Sequence, residues 1–99
     1  MPDALTAATF SPFAGGVFVA HFGADGTYPL VLVEVVERAS LGMPETLRAP
    51  FSLFFTGQGP HYLLQGTYRL SHDRLGDLDV FIVPVGRTDD GFRYQAVFN

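Results

Sequence analysis

The chain has 99 residues, with 10 acidic against 6 basic side chains for a net charge of −4, and it contains no cysteine. That length makes a single domain, residues 1–99, with room for one modest core. Disulfides, thiolate metal sites and cysteine nucleophiles are excluded. The basic residues are all arginine and scattered singly, which disfavours nucleic acid, whose affinity rests on neutralising many phosphates at one surface.

Residues 3–14 carry the signals of one or two helical turns. Asp3 or Thr6 can cap the first, and Thr9 or Ser11 a second with Pro12 at its first position. Phe10 and Phe13, three apart, are placed to pack on the end of whatever follows. Gly15-Gly16 ends this piece. The first strand is Val17 to Phe22, closed by Gly23-Ala24-Asp25-Gly26, a hairpin signal because Asp-Gly accepts positive φ. The second runs from about Tyr28 to Arg38. Glu34 and Glu37 have opposite parity on it, so a bulge around Val35-Val36 is expected to bring both carboxylates to water.

Residues 39–50 make the only long connection, interrupted by Gly42, Pro44 and Pro50. Connections of this length in a small domain are often functional, and this one is the first choice for a partner contact. The third strand is Phe51 to Thr56. After Gly57-Gln58-Gly59-Pro60 comes the fourth, about Tyr62 to Ser71, with Leu64, Gly66, Tyr68 and Leu70 on one face and Gln65, Thr67 and Arg69 on the other. Gly66 inside it is expected to mark a bulge or a close backbone approach. The fifth strand is Leu78 to Val85, and Pro84, lacking an N–H, predicts an edge or an ending there. Thr88-Asp89-Asp90-Gly91 turns the chain into the last strand, where Phe92, Tyr94, Ala96 and Phe98 share one face.

Six strands at regular spacing, little helix and many glycine turns predict an all-β fold. The expected form is a small antiparallel barrel of five to six strands with a short N-terminal helical turn, because closure removes edges that a chain of this size cannot cover. A leading helical turn followed by bent antiparallel strands is the layout of SH3-like barrels, including the Sm-like variant. The longest apolar stretch, Leu30 to Val36, is broken by Glu34 and is far short of a membrane span. Met1 to Leu5 has no basic segment leading an apolar one. The expectation is a soluble, cytoplasmic protein.

Several strings resemble an uncharacterised bacterial domain family of about this length: Ala49 to Phe55, Leu64 to His72, Leu75 to Gly86 and Tyr94 to Asn99. The resemblance covers nearly the whole chain. It implies no established activity, and it suggests an association with phage-tail-like proteins, near which similar proteins are encoded. The Sm family's Arg-Gly pair before the last strands is missing, so RNA binding does not follow from the architecture.

No catalytic constellation stands out, and the chain is read as a non-enzyme without a cofactor. His72-Asp73 would make a metal site only if His61 and an acid such as Asp77 or Asp79 converged on it. Asp77, Asp79, Asp89 and Asp90 lack the spacing of a calcium loop. No Gly-x-Ser-x-Gly elbow surrounds Ser11, Ser40, Ser52 or Ser71. Tyr62, Tyr68, Phe92 and Tyr94 with Arg69 and Arg93 can be drawn as a stacking platform, although aromatics in a barrel are more often core. The weak binding candidates are Arg48, Gln65, Arg69, Arg93 and Gln95.

The leading functional expectation is a protein-interaction or assembly module that contacts a protein partner or itself as a homo-oligomer. The positive sign is apolar residues at both parities of the second and third strands, Val31 and Val33 against Leu30 and Leu32, and Phe54 against Phe51 and Phe55. The alternative is an oligonucleotide- or carbohydrate-binding barrel, with Arg38, Arg48, Arg69 and Arg93 as the cations a nucleic acid would need.

Overall fold

The computed structural model describes residues 6–37, 50–58, 63–89 and 91–98. A single helical turn, α1 (Ala7–Phe10), runs into a 3-10 turn over Ser11–Phe13. Six strands follow: β1 (Val17–Phe22), β2 (Gly26–Glu37), β3 (Phe51–Gln58), β4 (Gly66–His72), β5 (Gly76–Arg87) and β6 (Gly91–Phe98). They close into an antiparallel barrel in the order β1-β2-β3-β6-β5-β4. The expected all-β barrel is therefore present with six strands, and the helical turn stands at its N-terminal side. The segment 38–49, with the connection read as a partner contact, lies outside the described residues.

Period-two alternation builds the interior. Phe18 and Ala20 of β1, Tyr28, Leu30 and Leu32 of β2, and Phe51, Leu53 and Phe55 of β3 are all buried. Leu70, Val80, Ile82, Tyr94 and Ala96 complete the wall from the other side. Closure is made by a short seam in which Val19, Ala20 and His21 of β1 pair with Ser71, Leu70 and Arg69 of β4.

Two bulges bend the long strands, and the first corrects the sequence reading in its position. On β2 the register slips between Leu32 and Glu34, two residues before the expected site at Val35-Val36. Val33 is the extra residue, so inward parity passes from Leu32 to Val35, which lies opposite the buried Leu53. Glu34 then points outward, and Glu37 reaches water at the strand's end. On β5 the slip falls between Pro84 and Gly86. Pairing with β4 stops at Ile82, so Pro84 is paired only with β6 and lies on a local edge, as expected, although β5 does not end there. The strand continues to Arg87, and the missing N–H is tolerated where one side of β5 has no ladder and a bulge follows. Gly66 does not mark a bulge: it opens β4 and pairs in regular register with Ile82. That strand begins four residues later than its apolar pattern suggested, since Leu64 stands exposed ahead of it.

Each end of the cylinder is plugged. Phe10 enters one mouth, with ring centroids 5.8 Å from Phe51, 5.6 Å from Phe98 and 6.4 Å from Phe18. Phe51 and Phe98 stack at 4.7 Å. The main-chain N–H of Thr6 donates to Thr9 Oγ1 at 3.1 Å, and Thr9 N–H donates to the Thr6 carbonyl at 2.9 Å, which fixes the start of the turn. Gly15 and Gly16 then bond to the Leu32 main chain, tying the plug to β2 beside its bulge.

At the other mouth a polar chain crosses the interior. Leu63 N–H donates to the Tyr94 hydroxyl at 2.9 Å, Tyr94 donates to the Tyr28 hydroxyl at 3.2 Å, and Tyr28 donates to the Gln58 carbonyl at 3.2 Å. The Tyr28 ring lies across Gly57, where a Cβ would come within 2.6 Å of it. A buried donor that loses its acceptor costs about 1–3 kcal/mol. Tyr94→Phe is therefore expected to lower unfolding free energy by about 1–3 kcal/mol, read as a reduced denaturant midpoint at unchanged slope. Phe10→Ala, which empties the opposite plug, is expected to cost about 3–5 kcal/mol in the same assay.

Candidate functional site

The charged surface lies on β1, β4 and β5. Strand alternation sends Thr67, Arg69 and Ser71 of β4 outward beside Asp77 and Asp79 of β5. Arg69 Nε donates to Asp79 Oδ1 at 3.2 Å. That hydrogen bond, with the charges of Asp79 and Asp77, holds the guanidinium above its ordinary value, so it stays protonated. Both side chains are well exposed, and water screens the pair.

Across the closure seam His21 Nε2 lies 2.7 Å from Ser71 Oγ, and Ser71 Oγ donates to Asp77 Oδ1 at 3.1 Å. Serine, histidine and aspartate are together, but in an order unlike a hydrolase. A triad places the carboxylate on the far nitrogen of the imidazole, where it orients the base. Here the carboxylate accepts the serine's own proton in a hydrogen bond, so the imidazole Nε2 donates to Ser71 Oγ and is not its base. The three groups act as a clasp over the β1–β4 seam.

His72 is structural. Its Nδ1 accepts from the main-chain N–H groups of Arg74 and Leu75 at 3.0 and 3.3 Å, which shapes the β4–β5 turn. Its ring packs 4.4 Å from Phe18 and 4.8 Å from Phe13. The metal reading required His72 and His61 to converge on one ion. His61 lies outside the described residues, and among the described residues no group of three or more His, Asp or Glu is placed to hold a metal.

The structure separates the sequence's binding candidates. Gln65 and Arg69 belong to the β4 side, whereas Arg93 and Gln95 lie on β6, with β5 between them. Arg48 lies outside the described residues. Arg93 reaches over the Phe54 ring of β3, 4.6 Å from its centroid, and donates to Glu34 Oε1 at 3.0 Å on β2 beyond it. Gln95 Nε2 donates to Ser52 Oγ at 3.2 Å. The proposed aromatic platform is not assembled either. Tyr94 is fully buried, Phe92 sits under Arg87 at 5.9 Å, and Tyr62 lies outside the described residues.

What the outer wall presents instead is apolar. Val33 at 42%, Val36 at 36%, Phe81 at 50% and Val97 at 44% exposure stand on the outside of β2, β5 and β6. Phe54 and Val83, half-buried, lie on the same wall. The both-faced pattern of the second and third strands pointed to part of this face. The β5 and β6 contributions were missed, although Val80-Phe81-Ile82-Val83 shows the same signal.

The chain matches the domain of unknown function DUF6916 over residues 5–98. It belongs to that family, as the resemblance in the sequence implied. No curated protein and no solved structure matches it.

Arg93→Ala uncovers Phe54 and leaves Glu34 alone, and is expected to cost about 0.5–1 kcal/mol in chemical denaturation. Arg93→Lys is expected to recover only part of this, because an ammonium does not stack flat on a ring.

Proposed function

We propose that this domain is a non-enzymatic assembly module that associates through the outer wall of β2, β3, β6 and β5. The observation that carries the reading is the row of exposed apolar side chains there, Val33, Val36, Phe81 and Val97. Exposed apolar area gathered on one face is a mark of protein contact.

A second copy of the chain is the occupant proposed, and the local charge distribution on this wall permits it. The protein carries a net charge of −4, so two copies repel at long range. Among the described residues the ion pair on this wall, Arg93 with Glu34, is internally balanced, and Asp79, the outward residue next to Phe81, is met by Arg69. Two acidic copies can therefore meet here with little repulsion. The association with phage-tail-like proteins belongs to the same proposal and would use the same face, as does the cytoplasmic setting.

An oligonucleotide partner has less support. Arg69 and Arg93 are each held by a carboxylate, and Arg38 and Arg48 lie outside the described residues.

Sedimentation equilibrium over a concentration series checks the reading. The expected result is a mass that rises with concentration in the native chain and stays monomeric in Val97→Glu and Phe81→Glu, both at exposed positions. A monodisperse monomer throughout would overturn self-association, and a mass rise unaffected by either substitution would place the contact elsewhere.

A further inference from the structure

On the side of the barrel where β2 meets β3, the two strands part company before they end. Their pairing stops at Val31 with Thr56. Residues Gly26–Leu30 pair only with β1, and Gly57 and Gln58 only with β6. The splay leaves an open cleft of about 590 Å³, within the usual range for small-ligand sites. Thr27, Pro29 and Val31 form one wall, Thr56 and Gln58 the other, and Phe22 stands at the rim with Tyr28 behind. A second hollow of about 330 Å³ shares Thr56 and Gln58 and continues to Thr88 and Asp89 on the β5–β6 hairpin.

We infer that this cleft is a binding site for a neutral saccharide. Among the described residues its lining holds no cation, and Arg93, which pairs with Thr56, is engaged by Glu34, so these walls offer little to a phosphate, a sulfate or a nucleic acid backbone. They do hold hydroxyls on Thr27 and Thr56 and an amide on Gln58, groups that both donate and accept, as a polyol requires. The Gln58 side chain is exposed and makes no hydrogen bond among the described residues. Its main-chain carbonyl, by contrast, is already held by Tyr28, so the amide is presented from a fixed point.

Phe22 supplies the apolar platform. It lies opposite Gly26, where a Cβ would come within 2.5 Å of its ring, so the ring rests on bare backbone. It remains 44% exposed. A ring held in this way can receive the C–H face of a pyranose without first losing rotamer freedom.

A strand-forming peptide suits the cleft less well. The Leu32 main chain bonds toward Gly15 and Gly16, so by alternation Pro29 and Val31 turn their main-chain groups toward β3. Pro29 has no N–H to give an incoming strand, which blunts this local edge.

The site is separate from the apolar wall proposed for self-association, and it is tested at concentrations where the chain is monomeric or in the Val97→Glu background. The probe is a panel of neutral oligosaccharides built from glucose, galactose, mannose and N-acetylglucosamine. Sulfated glycans, single-stranded oligonucleotides and a peptide array serve as comparison arms. Binding within the neutral set is expected, with affinity by calorimetry falling about tenfold in Phe22→Ala and several-fold in Gln58→Ala. Thermal melts of both variants should match the parent, since neither side chain is in the core. Silence of the neutral set, affinity that survives both substitutions, or preference for any comparison arm would overturn the inference.

Discussion

Three residue pairs decide whether this chain has an inside. Five of the six strand contacts in the ring are extended ladders or hairpins, but the sixth joins β1 to β4 only through Val19, Ala20 and His21. Without that seam the strands form an open, twisted sheet with two unpaired edges and one apolar face in water. With it, every inward side chain meets others across the axis, and alternation becomes burial. The His21–Ser71–Asp77 hydrogen bonds lie over this junction. Groups that look like chemistry in a sequence serve closure here.

A closed cylinder of this width is filled by its own side chains, and both mouths are stopped. Phe10 and its ring contacts occupy one end, and the Tyr94–Tyr28 hydroxyl chain with Leu63 occupies the other. Among the described residues no buried side-chain polar atom lacks a partner. The exterior divides into three regions. The β4–β5 side is charged and self-paired, the β2–β3–β6–β5 wall is apolar around its Arg93–Glu34 pair, and the splay between β2 and β3 is a cleft with no charged side chain among the described residues. The two proposals use the second and third regions, and they stand or fall separately.

Much of the architecture was legible because two-residue periodicity is a local property. The faces of β3 and β6, the hairpin at Gly23 to Gly26 and the packing of Phe10 on the barrel end all follow from spacing within a few residues. The places where that reading failed share a cause. The β2 bulge sits at Val33 rather than at Val35-Val36, because the carboxylates constrain only which side they face, while the slip is set by how β3 and the Gly15–Gly16 lead-in grip Leu32. Pro84 does lie at an edge, since β4 stops at Ile82, but the bulge that carries β5 on to Arg87 has no local signal.

The sequence by itself determined that this is an all-β chain of five to six strands, which residues of most strands face inward, and to which family it belongs. Those conclusions depend on side-chain alternation and on strings of adjacent residues, both written along the chain. Only the tertiary structure decided which strands are neighbours, and with that the meaning of every outward residue. Arg69 found Asp79 and Arg93 found Glu34 through pairing across strands, so two candidate ligand-binding cations became internal partners. The cleft beside Gln58 exists because β2 and β3 diverge after Val31 and Thr56, a relation between segments 25 residues apart in sequence that no local pattern records.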